Sequence, residues 1–355
     1  MDKIKVAILF GGQSTEHRVS LESAAAVIEH IPRDFYEPLL IGITENGKWL
    51  RFEGGPDRIR DGTWHEHPSC RPAVLSPDAS HRGLLVLQGD DRYERVGVDC
   101  AFPVLHGRGG EDGTVQGLLE LAGIPYVGCG LLSSAISMDK TLAQDLVKQA
   151  GIPTTEYFYF TERDERILSA LDKQVEWRLG GYPVFVKPAN SGSSVGITKV
   201  RGPEALEAAV RHAFRFDGKV ICEKEVPGIE VGCAVYGNDR LETGVIGEIE
   251  PSREFLDYED KYLLGEIRQH VPARINPALQ EEVKRLGMEV FRLLGCRGLA
   301  RVDFFVTREG RVLFNEINTM PGFTASSRYP RMIEAAGIRY SDFLDKLIRL
   351  AFGEG

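Results

Sequence analysis

The chain has 355 residues, enough for two or three domains at about 150 residues each, and 43% hydrophobic with 27% charged residues is a composition that can bury a core. Its 52 acidic and 43 basic residues leave a formal charge of −9, which excludes a general nucleic-acid binder and a basic membrane-surface protein, since both need positive charge. Glycine, at 39 residues, exceeds the average of about 7% and punctuates apolar runs without repeating, a pattern of tight turns and close backbone approach to ligands.

The opening Met1-Asp2-Lys3-Ile4-Lys5-Val6 runs straight into a strand without the look of a signal peptide. No apolar run reaches the roughly 18 residues of a spanning helix, so a soluble, cytoplasmic protein with neither membrane nor nucleic-acid partner is expected. The strand over 4–10 closes on Gly11-Gly12, and a helix comes next with Leu21, Ala24, Ala25 and Ile28 on one face. A second strand over 36–43 ends before Gly47, an order that predicts a parallel sheet of nucleotide-fold type. The Gly-x-Gly-x-x-Gly fingerprint is absent at Gly11, so a dinucleotide cofactor is not indicated. Residues 52–95 read as a polar, irregular insertion. The sheet resumes over 98–105 and delivers His106-Gly107 at a strand end, where open parallel sheets bind ligands.

Residues 133–150 read as one helix closed by Gly151 and Pro153, which also mark a domain boundary. Strands over 183–188 and 197–200 flank a glycine-serine loop. Asn276 caps and Pro277 opens a helix with the stripe Leu279, Val283, Leu286, Val290 and Leu294, ended by Gly295. A last helix over 341–351 buries Phe343, Leu344, Leu347, Ile348 and Ala351. The six cysteines are scattered without a Cys-x-x-Cys pair and read as buried reduced thiols.

Three stretches carry chemistry. In Leu299-Ala300-Arg301-Val302-Asp303 and Phe314-Asn315-Glu316-Ile317-Asn318 both halves alternate as strands, and a two-residue hairpin turn at Glu309-Gly310 makes Arg301 face Asn318 and Asp303 face Glu316. Facing residues share one side of a sheet. Two carboxylates and a carboxamide oxygen suit magnesium bridged to substrate phosphates, and the arginine beside them can grip a transferred phosphoryl group. The bland alternative is a solvent-facing ladder of salt bridges, against which stands the turn Asn318-Thr319-Met320-Pro321-Gly322 at the strand end.

The second stretch, Lys187-Pro188-Ala189-Asn190-Ser191-Gly192-Ser193-Ser194-Val195-Gly196, sets one cation before a loop of backbone amides, a phosphate cradle in chemical terms. Gly192-Ser193-Ser194-Val195-Gly196 also fits the Gly-x-Ser-x-Gly elbow of a serine hydrolase using Ser193, although that elbow requires a helix after the serine and Ile197-Thr198-Lys199-Val200 reads as strand. The third stretch, 252–262, is a long charged and aromatic loop, and loops of that length are often lids or plain surface loops.

Taken together, these residues resemble the D-alanine–D-alanine ligases over essentially the whole chain. The matching motifs are Glu16-His17 after Gly11-Gly12, His106-Gly-x-x-Gly-Glu-Asp-Gly, Lys187-Pro with the 192–196 loop, Asp257-Tyr258-Glu259-x-Lys261-Tyr262, Arg301-Val-Asp303, and Asn315-Glu316-Ile317-Asn318-Thr319-Met320-Pro321-Gly322-Phe323-Thr324. The resemblance implies an α/β, three-domain ATP-grasp fold. An N-terminal Rossmann-like (pre-ATP-grasp) substrate domain would occupy 1–130, a central ATP-grasp subdomain 131–223, and a C-terminal catalytic domain with a lid over 252–271 would occupy 224–355.

It further implies ligation of two D-alanines, through an acyl phosphate, for peptidoglycan precursor synthesis. ATP would be held by Lys140, Lys187, Ser194, Glu223, Lys224, Val226, Glu230 and Lys261. Two magnesium ions, with manganese as an alternative, would sit on Asp303, Glu316 and Asn318. Glu16, Ser193 and Tyr262 would orient the first D-alanine, Arg301 and the Gly322 amide would stabilise oxyanion charge, and His106, Ser327 and Arg328 would contact substrate. A homodimer is the implied assembly.

The departures concern the second substrate. Ser327-Arg328-Tyr329-Pro330 resembles the D-alanine–D-serine and D-alanine–D-lactate ligases of glycopeptide resistance. Gly247-Glu248-Ile249 instead matches ordinary D-alanine–D-alanine ligases, where the D-serine group carries an acid at the Gly247 position and an aromatic at Leu256. Lys261-Tyr262 stands against D-lactate. For Arg328 the sequence leaves two readings open, a substrate contact and a structural ion pair.

Overall fold

The computed structural model describes residues 2–89, 92–192, 195–250, 268–324 and 326–354. Strand β1 (Ile4–Gly11) is followed by α1 (His17–His30) and β2 (Tyr36–Ile43), as the alternation of apolar run, glycine turn and apolar stripe predicts. Leu21, Ala24, Ala25 and Ile28 are all buried. Strand β3 (Trp49–Phe52), helix α2 (Pro56–Arg60) and strands β4 (Arg71–Leu75), β5 (Gly83–Gly89), β6 (Arg92–Gly97) and β7 (Cys100–Val104) complete a seven-stranded sheet in the order β6-β5-β4-β3-β2-β1-β7.

Only β2, β1 and β7 run parallel; from β2 to β6 the sheet continues as an antiparallel meander. Residues 52–95 are therefore not an insertion but the outer part of this sheet. Their polar look comes from one face: Ala73, Leu75, Leu84, Val86 and Val96 are buried while the residues between them face out, as a one-sided antiparallel sheet requires.

Helix α3 (Thr114–Leu121) leads to α4 (Leu131–Met138) and α5 (Lys140–Gln149), so the single helix expected over 133–150 is two. Asp139 breaks it. Its backbone is extended, at φ −83° and ψ 101°, and its carboxylate accepts the N–H groups of Thr141 and Leu142 as the cap of α5. Both helices pack on the C-terminal sheet, with Ala143 and Val147 in its core.

The second sheet, β10-β9-β11-β8, is antiparallel and built from β8 (Tyr157–Thr161), β9 (Val184–Pro188), β10 (Thr198–Val200) and β11 (Lys219–Lys224). Helices α6 (Glu165–Leu168), α7 (Leu171–Leu179) and α8 (Leu206–Ala213) accompany it.

The third, C-terminal sheet has the order β15-β14-β12-β16-β17, with β13 paired to β12. Its strands are β12 (Gly228–Gly237), β13 (Leu241–Thr243), β14 (Gly247–Glu250), β15 (Arg268–His270), β16 (Gly298–Thr307) and β17 (Val312–Asn318). Helix α9 (Pro277–Leu293) lays Val283, Leu286 and Val290 on it, capped by the Asn276 side chain. Helices α10 (Arg328–Ala335) and α11 (Tyr340–Ala351) instead enter a core shared with the first sheet, in which Phe343, Leu344 and Leu347 meet Tyr36, Val6 and Phe102. The first and third sheets are thus joined by buried apolar surface.

The hairpin that carries the acidic patch departs from expectation at its turn. Thr307 pairs with Arg311 through the Thr307 N–H to Arg311 O bond of 2.9 Å, so the loop is three residues, with Gly310 at φ +78°. That shifts the register by one. A β-bulge after Asp303 shifts it back, leaving Arg301 opposite Asn318 and Asp303 opposite Glu316 as predicted.

Candidate active site

Asp303 is fully buried at the centre of the β16–β17 patch. The Arg301 Nε donates to both of its oxygens at 2.9 Å, Arg301 Nη2 donates at 2.8 Å, and Asn318 Nδ2 donates at 3.1 Å. Arg328, from the start of α10, adds a 2.8 Å bond from Nη2 to the opposite oxygen. Gly232 on β12 faces Asp303, and a side chain there would press on Asp303 Oδ1 at 2.8 Å and on Arg328 Cζ at 3.2 Å. Burial alone would lower the Arg301 pKa, but Asp303, and beyond it Glu316 and Glu230, hold it above the ordinary value.

Arg328 is only 6% exposed, with Nη1 3.6 Å from Glu230. Of the two readings left open for it, the ion pair is the one the structure shows. Burial is the largest influence on its guanidinium and pulls its pKa down. Its Nε and Nη1 make no hydrogen bond among the described residues.

A second set of cations faces this patch from β9 and α5. Lys187, at the end of β9, pairs with Glu223 on β11. Burial would lower its pKa, yet Glu223, then Glu316 and Glu230, raise it above the ordinary value. Lys140 opens α5 because Asp139 caps it, and Lys219 on β11 fixes that cap through a 2.5 Å bond to Asp139. From there Lys140 Nζ donates to the Ser191 carbonyl at 2.5 Å and lies 4.0 Å from Glu316. A narrow cleft of about 50 Å³ opens between these groups, lined by Lys140, Ser191, Gly192, Glu316 and Asn318 among others.

Glu316 and Asn318 bring hard oxygen atoms to the cleft, with the Asp303 carboxylate held beside them by Arg301, Arg328 and Asn318. This donor set fits a magnesium ion if Asp303 exchanges one of those bonds for the cation and water and phosphate oxygens complete the shell. Among the described residues, no group of three His, Cys, Asp or Glu side chains could hold a metal alone. A cation here would need the asparagine oxygen and ligands from outside the chain as well.

The first sheet contributes Glu16, 8% exposed, just before α1. Its carboxylate lies between two glycines: a Cβ at Gly107 would stand 2.5 Å from Glu16 Oε2, and one at Gly192 would press on the same oxygen. Gly107 also has φ +68°, a conformation that favours glycine.

His106, expected to contact substrate, has both ring nitrogens engaged by protein: Nδ1 lies 2.8 Å from Met320 O and Nε2 3.1 Å from Ser23 Oγ. Burial pushes its pKa below the ordinary value. Ser327 bonds through Oγ to Thr324 Oγ1 at 2.7 Å and accepts the Thr324 N–H at 3.1 Å; its Oγ is 2.9 Å from where a Gly322 Cβ would stand. Lys224 and Val226 lie at and just beyond the end of β11, and Glu230 lies near the start of β12, its carboxylate toward Arg328.

Ser193, Ser194, Lys261, Tyr262 and the 251–267 part of the expected lid lie outside the described residues. The hydrolase reading of Ser193 fails on the next element of the chain: β10 runs antiparallel to β9 where a nucleophile elbow needs a helix.

Sequence reasoning missed Glu111, Ser23 and Gly232. Glu111 accepts the Gly107 N–H at 2.7 Å and the Met320 N–H at 3.0 Å, and burial followed by the charge of Glu16 pushes its carboxyl up to about 8. It sits inside the quoted Gly-Glu-Asp-Gly run. The signal for Ser23 is a polar side chain on the alanine-rich buried stripe of α1.

Residues 5–129 match the family model "D-ala D-ala ligase N-terminus" and residues 146–349 match "D-ala D-ala ligase C-terminus". The D-alanine–D-alanine ligase of Caldicellulosiruptor bescii is 45% identical over 99% of this chain and 96% of its own length. The vancomycin/teicoplanin A-type resistance protein VanA of Enterococcus faecium is 44% identical, covering 99% of each chain. The crystal structure of the VanG D-Ala:D-Ser ligase from Enterococcus faecalis superposes with a TM-score of 0.90 at 44% identity, over 99% of this chain and 100% of that one. With both halves matched in order along an ATP-grasp architecture, the chain belongs to the D-alanine–D-alanine ligase family, an ATP-dependent ligase family that uses a divalent metal.

Proposed function

We propose that the protein joins two D-alanines into D-alanyl-D-alanine through an acyl phosphate. The observation that carries this reading is the opposition of Lys140 and Lys187 to the Asp303, Glu316 and Asn318 face, with Arg301 beside it. Lys140 and Lys187 bind the nucleotide phosphates, Glu223, Lys224 and Val226 border the adenine, and Glu230 reaches the ribose. Magnesium on Asp303, Glu316 and Asn318 would neutralise phosphate charge, with two ions, or manganese, as the finer form of this reading.

Glu16 holds the ammonium of the first D-alanine so that its carboxylate meets the terminal phosphoryl group. Transfer of that phosphoryl group to the carboxylate releases ADP, and the amine of the second D-alanine, having lost its proton to water, then attacks the acyl phosphate carbon. Arg301 and the Gly322 amide bear the charge of the tetrahedral intermediate, and phosphate leaves. Ser193 and Tyr262 complete the Glu16 network. Lys261 and the 252–271 lid exclude water that would hydrolyse the intermediate, and Ser327 meets the second carboxylate. The product serves peptidoglycan precursor synthesis in the cytoplasm, from a homodimer of chains divided at 1–130, 131–223 and 224–355.

D-alanine is favoured over D-serine because position 247 is glycine: a Cβ there would already stand 2.9 Å from Met332 Sδ, and glycine itself offers no side chain to partner a hydroxyl. D-alanyl-D-serine synthesis is the second reading, carried by Ser327-Arg328-Tyr329-Pro330 and by the likeness to VanG. Phosphate release and product identity are measured with ATP, magnesium and D-alanine, alone and with D-serine or D-lactate. The expected product is D-alanyl-D-alanine in each mixture. A preference for the mixed serine or lactate product overturns the substrate assignment, and no ATP turnover with any pair overturns the ligase reaction.

A further inference from the structure

The turn after β17 must hold one backbone N–H in place, and the groups that hold it come from the other end of the chain. Met320 is gripped at both polar atoms: its N–H donates to Glu111 Oε1 at 3.0 Å, and its carbonyl lies 2.8 Å from His106 Nδ1. Three residues on, the Phe323 N–H donates to Ser23 Oγ at 3.1 Å and the Phe323 carbonyl accepts from Tyr340 at 2.6 Å. The Phe323 ring is fully buried, edge-on to Phe102 of the first sheet at 5.8 Å. Between these two anchored residues stand Pro321, which has no N–H, and Gly322. The Gly322 amide is therefore the one backbone donor in the stretch, suspended between fixed points.

The hydrogen bonds close into a ring whose direction has a single solution. A carbonyl only accepts, so His106 Nδ1 carries the hydrogen toward Met320. In the neutral imidazole Nε2 then accepts, and its partner at 3.1 Å is the Ser23 hydroxyl. Having donated to Nε2, Ser23 Oγ accepts from Phe323. The ring runs from the Met320 carbonyl through His106 and Ser23 to the Phe323 amide, with Glu111 fixing the Met320 N–H from the other side.

We propose that Ser23, His106 and Glu111 are positioning residues, a clamp through which α1 and the loop after β7 set the place of the Gly322 amide in the turn after β17. This rests on the proposed ligation, in which that amide bears oxyanion charge. It reassigns His106 from binding substrate to placing a donor. Ser23 separates the two roles, because it is fully buried and joins His106 to the turn without reaching the cleft.

The test is Ser23→Ala in the full chain, read by steady-state kinetics and by amide hydrogen exchange of residues 319–323. The clamp predicts a roughly 10- to 100-fold fall in kcat, the scale of a displaced oxyanion donor. The KM values for ATP and D-alanine stay within about 2-fold, as expected for an interaction realised only in the transition state. It also predicts at least roughly 10-fold faster exchange at Phe323 with β16 unchanged, as for local opening. His106→Asn, which keeps a donor for Met320 but not the Ser23 link, lowers kcat by no more when combined with Ser23→Ala than alone.

Unchanged exchange at Phe323, or unchanged kcat, overturns the clamp; so does a rise in the D-alanine KM of His106→Asn with kcat intact, which marks a substrate contact. Ser23→Cys, of similar size and weaker bonding, carries the same readouts if Ser23→Ala does not fold. If the unaltered protein does not ligate, the catalytic role falls with that reading, while the exchange still decides whether the clamp exists.

Discussion

The β16–β17 patch and the 319–323 turn are neighbours in the chain but are held by different means. In the patch, Arg301, Asp303, Glu316 and Asn318 come together because strand pairing puts facing residues on one side, so the arrangement is set within one hairpin. In the turn, every polar anchor except Tyr340 comes from more than two hundred residues away, from α1 and the loop after β7. A hairpin carries its site wherever the sheet goes, whereas the turn is correct only when the two sheets are docked. Association of the first and third sheets thereby becomes a condition for placing the turn, since Phe323 meets Phe102 in their shared core.

Breaking the patch should cost most. Asp303→Ala leaves Arg301 and the buried Arg328 without their common carboxylate, and removing one partner of a buried ion pair costs about 3–5 kcal/mol. The expected result is a large drop in the denaturation midpoint together with loss of ligation, measured by urea unfolding and phosphate release. Lys187→Met comes next. It removes the proposed phosphate contact and strands the buried Glu223, and a lost charge-assisted bond of about 1.5–3 kcal/mol raises the ATP KM by roughly 10- to 100-fold.

The turn side is sharpened by pH. The Glu111 carboxyl is pushed up to about 8 from an ordinary 4.5, by burial and by Glu16. Because the folded value is the higher one, its contribution to stability is fully present below 4.5 and is lost as pH rises through 8. Glu111→Gln should flatten the decline in urea midpoint between pH 5 and 8.5; a profile as steep as that of the unaltered protein would show that Glu111 is not its source. The smallest effect is a control distant from both regions: Asn276→Ala removes the cap of α9 and should lower stability by about 1 kcal/mol with ligation unchanged.

The hairpin shows how a local prediction can be right for an incomplete reason. Alternation and a turn at Glu309-Gly310 suffice to pair Asp303 with Glu316, but the loop has three residues and the bulge beside Asp303 restores the register. The extra residue, Asn315, turns its carbonyl to Gln144 of α5 at 3.0 Å, a partner no strand pattern reveals. Similarly, the apolar spacing over 133–150 is helical throughout. The break at Asp139 depends on its cap bonds and on Lys219 from another sheet, and that break is what brings Lys140 to the Ser191 carbonyl.

By itself the sequence determined the strands and helices with a clear apolar period, the acidic patch on β16 and β17, the lysine before the glycine-serine loop and the family that these motifs mark. Each of these rests on residues close in the chain, whose side is set by a period of two or about 3.6. Only the tertiary structure decided that 52–95 extends the first sheet, that Arg328 pairs with Asp303, and that Ser23, His106 and Glu111 hold the 319–323 turn. Those outcomes depend on which buried polar group finds which partner after the sheets dock, and a hydrogen bond between residues two or three hundred positions apart leaves no periodic trace in the chain.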